Sequence, residues 1–245
     1  MKPTTKKLVL NPVSKTIPEG YLRDNKTVET LVLSEGFTGI GRSAFSGCTN
    51  LKRVRLPESL ETIEEGVFDG CEKLTEVDIP DGVKILDNSE FQDCINLTRV
   101  KLPDSLETIG YSVFCECTSL EEIKIPDGVK HIGSVAFYNC KSLKEITIPS
   151  GVKDIGDEAF YNCVNLTLTN TKLPKSLKWI GEGAFAQCES LTKIEIPHSV
   201  KFVGEYAFSD CPNLKEITID HTEEYVYENW PDWITDESVK ITYLR

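Results

Sequence analysis

"PDGVKHIGSVAFYNCKSLKEITI" (126–148) and "PHSVKFVGEYAFSDCPNLKEITI" (197–219) lay proline on proline, phenylalanine on phenylalanine, cysteine on cysteine and leucine on leucine without a gap. Carried along the chain, the same frame opens blocks at Ser34, Pro57, Pro80, Pro103, Pro126, Pro149, Pro174 and Pro197. Each block follows the last by 23 residues, except for one step of 25 where "NLTLTNTKL" (165–173) carries two extra residues. A weaker block precedes them. In it Asn11 takes the proline column, Ile17 the isoleucine, Leu22 the phenylalanine, Asn25 the cysteine and Val28 the leucine.

A fixed period of this length with leucine and cysteine/asparagine columns is the signature of a leucine-rich repeat, in which each unit covers its apolar side only by stacking on its neighbours. The frame predicts an α/β solenoid of nine coils with a parallel sheet on one face. Short extended segments and helical turns are expected on the other. No linker breaks the register, so residues 1–245 are read as one domain. Within it, 1–10 is an N-terminal cap or the remnant of an earlier coil, 11–33 the degenerate repeat, 34–219 the eight regular repeats and 220–245 a C-terminal cap.

Each column has a physical role. In "EIKI" (122–125) Ile123 and Ile125 alternate with Glu122 and Lys124, the two-residue period of a strand buried on one side. The proline that follows has no N–H for the ladder and ends the strand. In "VKHIG" (129–133) Val129 and Ile132 face inward, and the glycine is expected to supply a tight turn through its backbone freedom. Eight of the ten phenylalanines share one column (Phe45, Phe68, Phe91, Phe114, Phe137, Phe160, Phe185 and Phe208), a buried aromatic spine. Glu90 interrupts the Ala/Val column before it, so that coil is expected to be looser or to tip the carboxylate toward water.

Eight of the nine cysteines also share a column, which predicts a ladder of small buried thiols rather than disulfides or a metal site. Cys115 lies off the ladder and is expected to be an exposed, reactive thiol. Its Cys-x-Cys with Cys117 lacks a second ligand pair at zinc spacing. Three histidines, His131, His198 and His221, recur in no catalytic pattern and are read as surface residues. The glycines follow the repeat rather than a phosphate-binding fingerprint. No catalytic residue, metal or cofactor is assigned.

The pattern "IPDGVKxIGxxAFxxCxxLxEIxIP", carried by Ile125–Pro149 and Ile196–Asp220, resembles the BspA-like, or Treponema pallidum type, leucine-rich repeats. That resemblance spans residues 11–219. It implies a surface or secreted protein associated with adhesion to host matrix proteins or to other cells, and it carries over no ligand residues.

The candidate binding residues come from the chain itself. Outward strand pairs run Arg53/Arg55, Glu76/Asp78, Arg99/Lys101 and Glu122/Lys124, with sign alternating from coil to coil. Alternation of that kind supports a sheet by cross-strand pairing, and it equally offers a charged protein ligand a basic centre at Arg53, Arg55, Arg99 and Lys101. Trp179 and Phe202 share a variable column on adjacent coils and form a second candidate contact. A net charge of −12 argues against nucleic acid and anionic membrane as partners. "MKPTTKKLVLNP" has no apolar signal core and no stretch reaches a membrane span, so the chain as given is read as soluble, without direct membrane insertion. A cell-surface or extracellular location is expected from the resemblance, with a cytoplasmic interaction scaffold as the alternative. Trp230, Trp233 and "VKITYL" (239–244) are expected to cover the open C-terminal end.

Overall fold

The computed structural model describes residues 5–170, 172–233 and 238–245. Positions 1–4 of the expected N-terminal cap and 234–237 of the expected C-terminal cap lie outside the described residues. The chain winds as a parallel-sheet solenoid. On the sheet face Lys7–Leu10, Thr30–Leu33, Arg53–Arg55, Glu76–Asp78 and Arg99–Lys101 pair in sequence order. Single bridges through Glu122 carry the ladder to Glu145–Ile146 and Thr167–Leu168. Lys193–Ile196, Glu216–Ile219 and Lys240–Tyr243 complete it. About ten coils are closed, one more than the sequence columns count, because Lys240–Tyr243 returns as a final rung beside Glu216–Ile219.

The sheet face breaks where the two extra residues fall. Thr167 pairs back to Glu145, whereas Lys172 pairs forward to Glu195, so the chain shifts between neighbours within one coil. A second ladder runs along the outer side in two parts: Thr16–Ile17 to Thr62–Ile63, and Ile85–Leu86 to Phe202–Val203. Thr62–Ile63 and Ile85–Leu86 do not pair.

The glycine column explains that gap and corrects its own expected role. Gly133, Gly156, Gly181 and Gly204 do not have positive φ. A Cβ on Gly156 would instead stand 2.4 Å from Ser134 N and 2.7 Å from Gly133 C, so the column is glycine because successive backbones nearly touch there. Glu64 and Asp87 occupy the column on the two coils that fail to pair. The ladder tolerates one side chain at a step, since Glu64 N–H still donates to Ile40 O and Gly110 N–H to Leu86 O. It stops where two meet.

Between the ladders lies the core. The eight phenylalanine rings are fully buried and stack coil on coil, from 5.7 Å between Phe45 and Phe68 to 5.1 Å between Phe137 and Phe160. The segment around each Phe closes tight i→i−3 turns in place of a continuing helix: Cys140 N–H donates to Phe137 O while Phe137 N–H donates to Ala159 O of the next coil. Residues flanking the Phe take positive φ, as at Val135 (50°) and Asn139 (58°). Each column thiol donates to a carbonyl of the preceding coil, for example Cys140 Sγ to Phe114 O at 3.2 Å. The cysteines are thus polar rungs as well as small apolar fillers. Burial pushes their thiols up, so they stay protonated donors.

Three further expectations are corrected. Glu90 is fully buried and neither of its carboxylate oxygens has a hydrogen-bond partner of good geometry; the Val67 backbone beside it offsets only a little of the burial. Burial, with Asp87, Glu65 and Glu64 close by, drives its carboxyl far above the usual range, so it is held neutral. Cys115 is half-buried rather than exposed, and burial pushes its thiol up to about 12, so it stays protonated at neutral pH. His221 is buried rather than on the surface, its Nε2 2.8 Å from Val200 O and its ring stacked on Tyr225 at 4.2 Å.

At the C-terminal end, helix α1 (Glu223–Asn229) is capped by Thr222 and begins with two acidic residues, which suit the positive end of its dipole. It sets Trp230 over the last coils, and Trp233 stands edge-on to Phe208 at 6.1 Å. Both tryptophans are buried. No helix among the described residues is long and apolar enough to cross a membrane.

Candidate functional site

On the sheet face the buried Val77, Val100 and Ile123 turn inward, and the residues between them are left facing solvent. Arg55, Glu76, Asp78, Arg99 and Lys101 line a groove of about 280 Å³. Arg99, Lys101, Glu122 and Lys124 line an adjoining one of about 810 Å³ that runs on to Thr147 and Thr169. Arg99 and Lys101 belong to both, so one trough, charged over its first four rungs, crosses six coils. Arg53 is exposed on the same face beside it.

The alternation of sign is only partly used up inside the fold. Arg99 reaches back to the coil before, contacting Glu76 Oε2 at 3.3 Å and Asp78 Oδ1 at 3.0 Å. Farther along, Lys193 meets Glu216 at 3.2 Å. Arg53 stands in register with Glu76, but that carboxylate is taken by Arg99. Among the described residues Arg53, Arg55, Lys101, Glu122 and Lys124 make no ion pair.

Some pairings escaped the strand-by-strand reading. Glu29 sits between Lys52 at 2.8 Å and Lys6 at 2.9 Å, and hydrogen bonds from these two ammonium groups hold its carboxyl down to about 2. Lys144 pairs with Glu121 at 2.6 Å. Each of these residues precedes its strand or bridge by one position, and opposite charges 23 residues apart are the signal that could have found them.

Trp179 and Phe202 are placed elsewhere, side by side on the outer ladder and away from the charged trough. They are in register, and their rings stack at 4.0 Å. Trp179 is 43% exposed, so the C-terminal cap does not cover it.

The family model described as a BspA type leucine rich repeat region, here in six copies, matches residues 15–141 and 107–230. A solved leucine-rich repeat protein of Treponema pallidum is 30% identical, with a TM-score of 0.57, over 77% of this chain and 79% of that one. A leucine rich cell surface protein of Faecalibacterium prausnitzii shares the fold at 22% identity and a TM-score of 0.55, over 98% of this chain and 79% of that one. The pneumococcal vaccine antigen PcpA does so at 18% identity and a TM-score of 0.56, with the same coverage. No curated protein matches. The family model covers residues 15–230, most of the chain, and the Treponema protein is 30% identical over the same fold, so this chain belongs to the BspA-type leucine-rich repeat family.

Proposed function

We propose that the chain is a non-catalytic protein-binding module displayed at the cell surface or secreted, and that it takes a protein ligand, of host-matrix or cell-surface type, on the sheet face. The observation that carries this reading is the set of cations left without acidic partners, Arg53, Arg55 and Lys101, along a continuous trough in a molecule of net charge −12. A partner that presents carboxylates to them gains charge-assisted contacts that the fold itself does not use. Trp179, stacked on Phe202, is a second contact on the outer ladder, of the aromatic kind that anchors interfaces.

The test is surface plasmon resonance against a panel of extracellular-matrix proteins, comparing wild type with Arg53→Glu/Arg55→Glu/Arg99→Glu/Lys101→Glu. Binding to at least one matrix protein, lost in the variant while its circular dichroism is unchanged, is the expected result. Absence of any binder, or a variant that binds as well as wild type, removes the proposal. Trp230 and Trp233 are buried, so quenching of tryptophan fluorescence reports mainly on Trp179, and a bound ligand that leaves quenching unaltered excludes the aromatic contact.

A further inference from the structure

A second charged surface lies away from the trough, along the edge where the chain turns from each proline into the outer ladder. The residue just before each outer strand is lysine on four successive coils: Lys130, Lys153, Lys178 and Lys201. Backbone bonds hold the four in register, Lys153 N–H to Lys130 O at 2.8 Å, Lys178 N–H to Lys153 O at 2.7 Å and Lys201 N–H to Lys178 O at 2.8 Å. Rungs of a sheet stand about 4.8 Å apart, so four ammonium-bearing chains rise side by side.

The fold gains nothing from that row. Like charges opposite one another on neighbouring strands oppose pairing, and none of the four lysines makes an ion pair among the described residues. Lys201 alone has other company, donating to His198 O at 3.3 Å and lying 6.0 Å from the Tyr225 ring. Of the nearby acids, Asp154 is engaged by His131 at 2.7 Å and Asp220 by Arg245 at 2.8 Å, while Glu107, the rung before Lys130, marks where the basic row begins. Earlier coils carry Glu61, Lys84 and Glu107 in the lysine column. The turn column changes one coil later, from Glu58, Asp81, Asp104 and Asp127 to Ser150, Lys175 and His198. The edge is acidic over its first half and basic over its second.

The basic half ends in a groove of about 550 Å³ lined by Lys172, Lys175, Lys178, His198 and Lys201 and by two acids that are already paired, Glu195 with Lys172 at 3.9 Å and Asp220 with Arg245. Ser199 lines it too, its shielded hydroxyl without a partner, whereas the matching Ser59, Ser105 and Ser176 each donate to a backbone carbonyl of the preceding coil. Trp179, beside Lys178, adds an exposed flat ring.

The geometry points to this lysine row and its groove as a binding rail for a linear acidic polysaccharide bearing sulfates or carboxylates on successive sugars. One rung is close to the length of one sugar in an extended pyranose chain. An extended acidic peptide repeats its same-side residues at about 6.6–6.8 Å, twice its rise, and drifts out of step with the rungs.

The test uses the full chain and four probes: heparin for sulfate, polygalacturonate for carboxylate, oligo-dT and polyglutamate. At low salt one or both polysaccharides bind by calorimetry, and affinity falls as salt rises. Lys153→Glu/Lys178→Glu weakens binding by about tenfold or more, whereas Lys101→Glu/Lys124→Glu, the same charge change in the sheet-face trough, leaves it unaltered. Lys153→Gln/Lys178→Gln, which removes charge without reversing it, gives a smaller loss and serves if the Glu variant fails to fold. The inference is overturned if neither polysaccharide binds, if the trough variant loses as much, or if oligo-dT or polyglutamate binds as tightly.

Discussion

The solenoid is interrupted twice, on opposite ladders and for different reasons. Near residues 61–87 the outer ladder opens while the sheet face stays paired from Arg53 through Glu76 to Arg99. Near residues 167–172 the sheet face shifts while the outer ladder stays paired from Asp154 to Trp179. The first interruption comes from side-chain volume at Glu64 and Asp87 and has a buried, partnerless Glu90 beside it. The second comes from chain length alone. The phenylalanine spine passes through both, Phe68 to Phe91 at 5.6 Å and Phe160 to Phe185 at 5.2 Å. A repeat stack is therefore held by its core, and either ladder can lapse for one step as long as the other continues.

The largest expected effect tests that shared spine. Phe91→Ala, at the outer gap, and Phe185→Ala, next to the sheet shift, each lose a fully buried ring and should each cost about 3–5 kcal/mol in urea denaturation. A Phe91→Ala cost far below that of Phe185→Ala would show that the gap extends into the core, and the comparison drawn above would fail.

Next in size is Glu90→Val, which gives this coil the residue of its neighbours Val67 and Val113. Removing a buried carboxyl without a partner should stabilise the chain by about 1–3 kcal/mol. The pH dependence has a definite sign. An acid whose folded pKa is raised contributes its full share of stability below its unfolded pKa of about 4.3, and loses it as pH climbs toward the raised value. Wild type should thus fall further behind Glu90→Val at pH 8 than at pH 4. Equal gains at both pH values would mean that Glu90 reaches water or a cation when charged.

The smallest effect is the most local. Glu64→Gly/Asp87→Gly restores the column that permits close approach, and should protect the amides of Ile85 and Asp87 from hydrogen exchange by joining the two parts of the outer ladder. Global stability should move little, because the added flexibility of glycine in the unfolded chain, about 0.5–1 kcal/mol each, offsets the new bonds. Unchanged exchange at these amides would place the cause of the gap elsewhere, with Glu90 the next residue to test.

Much of this was legible before any coordinates. The Phe, Leu and Cys columns named the core residues, and the two extra residues within Asn165–Leu173 fall where the sheet face shifts. Columns with one chemical meaning read well, since a repeated apolar residue in a stacked coil has nowhere to go but inward. Columns whose residue serves backbone approach read less well. The glycine after Ile132 suggested a turn, and its purpose appears only when the neighbouring backbone is seen within 2.5 Å of its missing Cβ. At Glu90 the sequence leaves two outcomes, a looser coil or a carboxylate tipped toward water; the outer ladder does open beside it, but the carboxylate stays buried. Its Cα–Cβ direction is set by the coils on either side through Phe68 N–H to Glu90 O and Phe91 N–H to Val113 O.

The candidate site divides the same way. Sequence placed Arg53, Arg55, Glu76, Asp78, Arg99, Lys101, Glu122 and Lys124 on one face, because strand alternation and a strict 23-residue period leave no other arrangement. Which of those charges pair was decided in three dimensions, where Arg99 reaches both Glu76 and Asp78 and leaves Arg53 without an acid. By itself, then, the sequence determined the period, the core and the face each residue looks from, since these follow from local alternation and from the need of every coil to bury one side. The tertiary structure alone decided which ladder breaks, which carboxyl is trapped and which cations stay free, since those depend on distances between coils that no single repeat contains.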